Sequence, residues 1–501
     1  MKRIALILSL TGTTAFAEIT PYDVIESWRT VYAGTGATIT YEEATQGPEG
    51  KALVLHNVTS VEMLVDDVTT SHFDWVKLQQ LANGNIQITF SAQGNRDKVT
   101  TTSNDPGMMS SEVFDFSKLS LLATGYPGDI RYTYEAPSIT YTETTGDDDY
   151  GTRLDLSIYE ITGEATSITN ITESGPRVAD FGTFNFTRIE VEKNEHAFYG
   201  SPVITQLSAQ NIGATFRTEF PLAAIPDSPV AMPDFPPGMI MEMGLSSAAL
   251  SGTQEEDVTS FGPRIVSFGH DGGTVSLRAA QNNIRSDFSS HGGRLKIEDP
   301  SPGGPNFELA LGEVQANLSM PFRRADAPKP FSAALTLGRV ALSEGNWADV
   351  DPDNAMGRPT ADLAISVSGL IHMLAGVFES TSELETPDRK FFISDLSLDT
   401  FRIATGGATI EGEGEVQFNR NRTDPDTTLP AMKGALDFSI IGALGFLDRF
   451  GRLPGVDPMA ILGAKGGLGM FTSPTDTPDS FSSKVEFLND GGIMVNGQQV
   501  R

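Results

Sequence analysis

The chain has 501 residues and no cysteine, and its 35 basic against 65 acidic side chains give a formal charge of −30. Disulfides, thiol nucleophiles, cysteine-based zinc sites and a lipidated cysteine anchor are thereby excluded. So acidic a surface repels nucleic acid and anionic headgroups, and the length accommodates roughly two to four domain-sized units.

The N-terminus reads as a secretion signal, residues 1–17. Lys2 and Arg3 form a positive start, Ile4 to Leu10 an apolar core, and Ala15-Phe16-Ala17 the small-x-small site cut after Ala17. The apolar run is too short to span a bilayer, which takes roughly 20 residues, and no later stretch is long enough either. Cleavage leaves 33 basic against 65 acidic residues, or −32. The mature chain is therefore expected to be a soluble protein of the periplasm, with no stable membrane span.

Next comes a short helix. Thr20-Pro21 supplies a cap and a first-turn proline, Val24, Trp28 and Val31 share one face, and Gly34 closes it. From there on, apolar and polar residues alternate with the period of half-buried strands. Ile86, Ile88 and Phe90 alternate, then Leu154, Leu156 and Ile158, then Phe184 and Phe186. Phe307, Leu309 and Leu311 shift phase to Val314, Ala316, Leu318 and Met320, and Phe391 and Ile393 shift to Leu396 and Leu398. Such shifts predict bulges or tight turns within a long meander. The fold class expected is mainly β, a long, curved antiparallel meander with a few short helices.

Five prolines between Pro226 and Pro237 cannot sit in a central strand. They divide the expected organisation into an N-terminal β-rich region (18–225), a connector (226–239) and a C-terminal β-rich region (240–501). Within the last, Ile441, Leu444, Leu447 and Phe450 fall at helical spacing before Pro454, and Asp457-Pro458 opens a second helix. A helical hairpin near 441–470, packed on a sheet, is predicted. An outer-membrane barrel fits poorly, because the sequence ends Val500-Arg501 without a terminal aromatic residue and its strands lack paired aromatic girdles.

Catalytic patterns fail one by one. Ile265-Val266-Ser267-Phe268-Gly269 lacks the first glycine of a nucleophile elbow, and His270 and Asp271, adjacent in sequence, are no triad. The six histidines are scattered, without metal-binding spacing. Asp349, Asp351 and Asp353 stand at alternate positions like the opening of a calcium loop. Asn354 replaces the needed glycine, however, and Thr360 the closing glutamate, so a solvated acidic turn is the plainer reading. Asp147 to Asp149 read the same way. No cofactor is implied, and the chain is not expected to be an enzyme.

One stretch is familiar. Phe391-Phe392-Ile393-Ser394-Asp395-Leu396-Ser397-Leu398, Thr405-Gly406-Gly407-Ala408, Gly412-Glu413-Gly414, Gly451-Arg452-Leu453-Pro454 and Gly491-Gly492-Ile493-Met494-Val495-Asn496-Gly497-Gln498 follow in an order that resembles the exported proteobacterial family catalogued as domain of unknown function twenty-one twenty-five. It is more loosely similar to the AsmA-like and YdgA-like envelope proteins. The match covers 330–501 and brings no catalytic residues with it. The AsmA-like resemblance implies a long curved sheet whose concave face holds acyl chains. The expected function is binding of a hydrophobic, lipid-like ligand or an envelope partner through a β-sheet groove. Two alternatives are an assembly protein acting through exposed strand edges, and a hydrolase of envelope glycans or esters using Ser267 or a cleft carboxylate.

Overall fold

Period-two patterning puts every second side chain on one face of a pleated ribbon, and the alternating runs all become strand. The computed structural model describes residues 18–34, 37–64, 67–100, 109–115, 118–146, 151–172, 175–195, 202–221, 238–259, 262–280, 282–376, 390–423 and 430–500. Helix α1 (Pro21–Gly34) comes first. Thr20 N–H and Oγ1 donate to the Asp23 carboxylate at 2.8 and 2.6 Å, and Asp23 N–H returns a bond to Thr20 Oγ1 at 3.3 Å, a reciprocal cap on the helix start.

The first strands are β1 (Ala37–Thr40), β2 (Glu43–Gln46), β3 (Ala52–Leu64), β4 (Asp67–Gln80), β5 (Ile86–Phe90), β6 (Gln93–Thr100), β7 (Met109–Asp115), β8 (Ser120–Tyr126) and β9 (Asp129–Gly146). Longer ribbons follow as β10 (Gly151–Thr172), β11 (Gly175–Glu195) and β12 (Val203–Pro221). Then come β13 (Ile240–Ser247), β14 (Ala249–Thr259), β15 (Gly262–His270), β16 (Gly272–Ala280), β17 (Asn283–Glu298), β18 (Asn306–Pro321) and β19 (Lys329–Leu342). After α2 (Glu344–Val350) the chain forms β20 (Ala361–Met373), β21 (Phe391–Thr405), β22 (Ala408–Thr423) and β23 (Pro430–Ile441). Helices α3 (Ala443–Phe450) and α4 (Pro458–Phe471) precede β24 (Ser473–Pro474), β25 (Ser480–Phe487), β26 (Ile493–Val495) and β27 (Gln498–Gln499).

All these strands join one hydrogen-bonded antiparallel sheet, mainly in chain order, as the meander expectation required. In places two short collinear strands stand where one long one would: β13 and β14 both pair with β12, and β16 and β15 both pair with β17. The strands on either side of the proline-rich stretch therefore pair directly, with Phe216 opposite Met243. Of the connector 226–239, residues 226–237 lie outside the described residues. So do the signal segment with Ala17, the acidic turn Asp147–Asp149, and His196.

A crease crosses the sheet. Asn57, Glu160, Asn211, Gly292 and Arg339 all have positive φ, between 48° and 63°. Each sits where a ladder skips a pair: Asn57 between His56↔Trp75 and Val58↔Phe73, Glu160 between Tyr159↔Arg188 and Thr162↔Asn185, Asn211 between Gln210↔Arg188 and Ile212↔Phe186. Gly292 and Arg339 do the same on either side of Gly312 in β18. The breaks between β13 and β14 at Ala248 and between β16 and β15 at Asp271 fall on the same line. A left-handed residue shifts the alternation by one, as a bulge does. The phase shift from Leu311 to Val314 falls where this line crosses β18 at Gly312, between left-handed Gly292 and Arg339 on the flanking strands. Because neighbouring strands kink side by side, the register survives. The shift from Ile393 to Leu396 has its own cause, a slip between Leu370↔Asp395 and Ile371↔Ile393.

The buried core gathers at one end. Ile19, Val24 and Ile25 meet Leu53, Leu55, Val76, Leu78, Ile86, Ile88 and Leu121 where α1 lies on the first strands. Beyond β12, the other elements that touch the sheet appreciably are α2 against β18 and α3 against β22. The helical hairpin is present at 443–471, yet α4 does not pack as a core helix: Met459, Leu462 and Met470 are exposed and none of its residues is buried. The reason is compositional. Gly463, Gly466, Gly467 and Gly469 offer no side chains to interlock, and an added Cβ on any of them would meet nothing within 4 Å. No helix among the described residues is long and apolar enough to cross a membrane.

Glu160 tests the crease. A left-handed conformation costs a non-glycine residue about 1–2 kcal/mol, and glycine's extra chain entropy costs about 0.5–1 kcal/mol. Glu160→Gly should leave the urea midpoint unchanged or slightly raised, whereas Glu160→Val should lower stability by about 2 kcal/mol. Equal behaviour of the two variants would show that this backbone shape is not needed.

Candidate functional site

The site begins under α1, with a cavity of about 340 Å³ between the helix and the sheet. Helical spacing turns Ile25, Trp28, Val31 and Tyr32 toward it, and the opposing strands contribute Leu55, Val58, Phe73, Val76, Phe90, Tyr132, Tyr134 and Phe216. Leu55 and Val58 stand on opposite sides of Asn57 and would point apart in an unbroken strand; the kink lets both face the cavity. Seven of the lining side chains are aromatic. Trp28 stacks on Phe90 at 6.2 Å, Phe73 lies 5.6 Å from Phe90, and Phe184 sits 5.1 Å from Tyr134 and 5.9 Å from Phe216. Phe184 reaches across its partner strand because the residue opposite is Gly163, where a Cβ would come within 2.3 Å of the ring.

A few polar groups interrupt this wall. Ser27 Oγ donates to Ser167 Oγ at 3.2 Å, and Ser167 stands directly opposite Asp180. Asp180 Oδ2 is buried without a hydrogen-bond partner. Burial raises the Asp180 pKa to about 6, with the Ser167 hydroxyl opposing the shift. Desolvation and the nearby Asp180 charge push the Tyr134 phenol up to about 12, and burial raises Tyr132 further. An apolar pocket with a carboxyl that is readily protonated can meet either a neutral or a cationic polar group.

The cavity continues beyond the helix as a stripe of side chains on the same face. Phe216, which lines it, faces Met243; next in line stand Leu277, Ser286, Leu318, Ala333, Val367, Leu398, Gly414, Leu436, Val485 and Val495. A second row runs beside it from Ala214 through Leu245, Val275, Phe288, Ala316, Leu335, Ile365, Phe401 and Gly412 to Phe438. At the usual spacing of about 4.8 Å between strands the first row is about 50 Å long. Met243, Leu245, Phe288 and Leu318 remain 46, 42, 39 and 40 % exposed.

The opposite face is charged and self-paired. Arg177 and Arg217 both reach Glu219, at 2.7 and 3.0 Å, Arg278 meets Glu242 at 3.1 Å, and Arg402 meets Glu411 at 3.3 Å. Arg177 and Glu219 are largely covered, whereas the Arg278 and Arg402 pairs are exposed, add little stability individually and keep that face in water.

The residues singled out in the sequence do not assemble. Ser267 sits within β15 between Thr253 and Lys296. His270 Nδ1 accepts from Gly272 N–H at 3.1 Å, and Asp271 is ion-paired with Arg294, so neither serves that hydroxyl. Asp351 turns inward and is fully buried: its two oxygens accept from Ala355 and Met356 N–H at 2.7 and 2.8 Å. Asp349 and Asp353 stay exposed. The three carboxylates thus do not converge, and among the described residues no group of three or more metal-ligating side chains does. Asp180 is a site residue that the sequence reading missed. Its signal was visible, an acid in phase with Val178, Gly182 and Phe184.

No family model matches this chain, and no curated protein matches it.

Two outcomes follow from the charges. The raised Asp180 pKa makes the folded state bind a proton more tightly than the unfolded chain does. Its contribution is fully present below about pH 4 and is lost as pH rises through 6. Asp180→Asn removes that loss, so its stability relative to the parent should grow by about 2 kcal/mol between pH 4 and 7 in urea titrations, then level off. A pH-independent difference would place Asp180 in water. Asp351→Ala should cost about 1–3 kcal/mol by orphaning two buried N–H groups, with the same unfolding midpoint in calcium and in chelator. A calcium-dependent midpoint in the parent would restore the metal reading.

Proposed function

We propose that this protein is an exported, periplasmic carrier or holder of a lipid-like amphiphile, whose chain lies along the apolar face of the sheet and whose end enters the cavity under α1. The observation that carries this reading is the unbroken line of cross-strand pairs joining the cavity to the half-exposed row from Met243 onward. Such a stripe is narrow, long and greasy, which matches an acyl chain laid across the strands. Each of the half-exposed side chains still has on the order of 1 kcal/mol to gain when covered. The resemblance to AsmA-like envelope proteins and the secretion signal at 1–17 point the same way. Asp180, Ser27 and Ser167 supply polar contacts at the closed end, where a hydroxyl, amine or carbonyl of the ligand would find a partner.

Native mass spectrometry of gently purified protein tests this directly. The parent should carry co-purifying lipid, and Met243→Glu with Leu318→Glu should lose most of it while circular dichroism keeps its strand signature. A clean apo mass in repeated preparations, or equal occupancy in the double variant, contradicts the proposal. A lipid-free dimer would show instead that a second copy covers the face.

A further inference from the structure

On the polar face of the same sheet, at the end bounded by the β16–β17 and β18–β19 turns, lies a recess of about 690 Å³ lined by Arg278, Arg285, Arg323, Arg324 and Lys329. Five cations in one hollow are unexpected in a chain carrying 65 acids against 35 bases. Arg278 and Arg285 are directly opposite each other on β16 and β17, a like-charge cross-strand pair that destabilises a sheet. Glu242, across on β13, engages Arg278 at 3.1 Å, and Asp287, two residues along β17, engages Arg285 at 2.8 Å. Arg323 has no carboxylate partner among the described residues; its guanidinium lies 5.6 Å from the Phe322 ring, and its Nε is buried without a hydrogen-bond partner. Arg324 and Lys329 make no ion pair among the described residues either.

The recess is also held in shape. Phe322 is buried and its N–H donates to Asn282 O at 3.1 Å, while Ala325 N–H donates to Met373 O at 3.1 Å, so the segment bearing Arg323 and Arg324 is tied to two strand ends. Asn283 Nδ2 donates to Ser319 Oγ at 2.9 Å along the wall. Several guanidinium forks carried on a tied backbone suit a multi-oxygen anion, which can take paired bonds from two arginines at once.

We infer that this recess is a binding site for a phosphate-type oxyanion, distinct from the apolar face and independent of what lies there. The anion bridges Arg278 and Arg285 and gives Arg323 the anionic partner it lacks among the described residues. The shared chemistry is a phosphoryl group, either on a small soluble molecule or on a lipid headgroup.

Calorimetric titration of the full chain with inorganic phosphate and pyrophosphate at low ionic strength is the test. Both should bind, and Arg323→Gln with Arg324→Gln should weaken binding about tenfold or more. Arg278→Gln with Arg285→Gln should do the same without lowering the unfolding midpoint, which guards against a folding defect. Arg153→Gln with Arg188→Gln, a control of equal charge elsewhere on the sheet, should leave affinity unchanged. Co-sedimentation with phosphatidylglycerol-containing vesicles that phosphate competes away identifies a headgroup as the source; phosphate binding without vesicle association identifies a soluble phosphorylated ligand. Absence of phosphate binding in the parent, or equal affinity in the recess variants and the control, overturns the inference.

Discussion

Everything in this molecule depends on antiparallel register holding from strand to strand. In a sheet, a slip of one residue moves a whole strand's apolar set to the other face. Here the pairs from Leu53 through Leu78, Ile88, Leu121 and Tyr134 to Gly163, Phe184 and Ala214 stay in line, and the same line runs on to Phe438. The result is a sheet with two unlike faces over its entire width. One is apolar, and α1 covers it at the first strands. The other carries interlaced Arg, Lys, Glu and Asp.

The crease shows how that register is kept in ribbons of up to 22 residues. A strand that long accumulates twist, and sheets accommodate it by local kinks. Kinks that occurred at random would scramble the faces. These occur side by side, at Glu160, Asn211, Gly292 and Arg339, so each strand changes phase where its neighbour does. Local bonds hold some of them: Asp362 accepts from Arg339 N–H at 2.8 Å, and Asn57 Nδ2 donates to Glu42 at 2.5 Å. Strain is thereby spent on keeping the greasy stripe continuous.

A single-layer sheet with one apolar face risks pairing with its own kind. The net charge of −30 counters this by repulsion between copies, and the paired ions of the polar face keep it hydrated. Against so acidic a background the basic recess beside β16 and β17 stands out as an exception in charge, and the half-exposed row beside Met243 as an exception in hydropathy. The two lie on opposite faces, so their ligands do not compete for space.

The amino-acid sequence by itself determined the secondary structure and its handling of phase. Period-two alternation, the Thr20-Pro21 start of α1, the helix that ends ahead of Pro454 and the one that begins at Pro458, and the phase shifts at Leu311–Val314 and Ile393–Leu396 are all local patterns, set by neighbours within a few residues. What only the tertiary structure decided is which strands share an edge. That choice brought Trp28, Tyr134, Asp180 and Phe216 around one cavity, set Arg278 against Arg285, and turned Asp351 from a candidate metal ligand into a buried backbone cap. None of these has a local signature, because cross-strand partners are fixed by hydrogen-bonded register between segments far apart in the chain. Alternation tells each residue which way to point, and only pairing tells it what it will face.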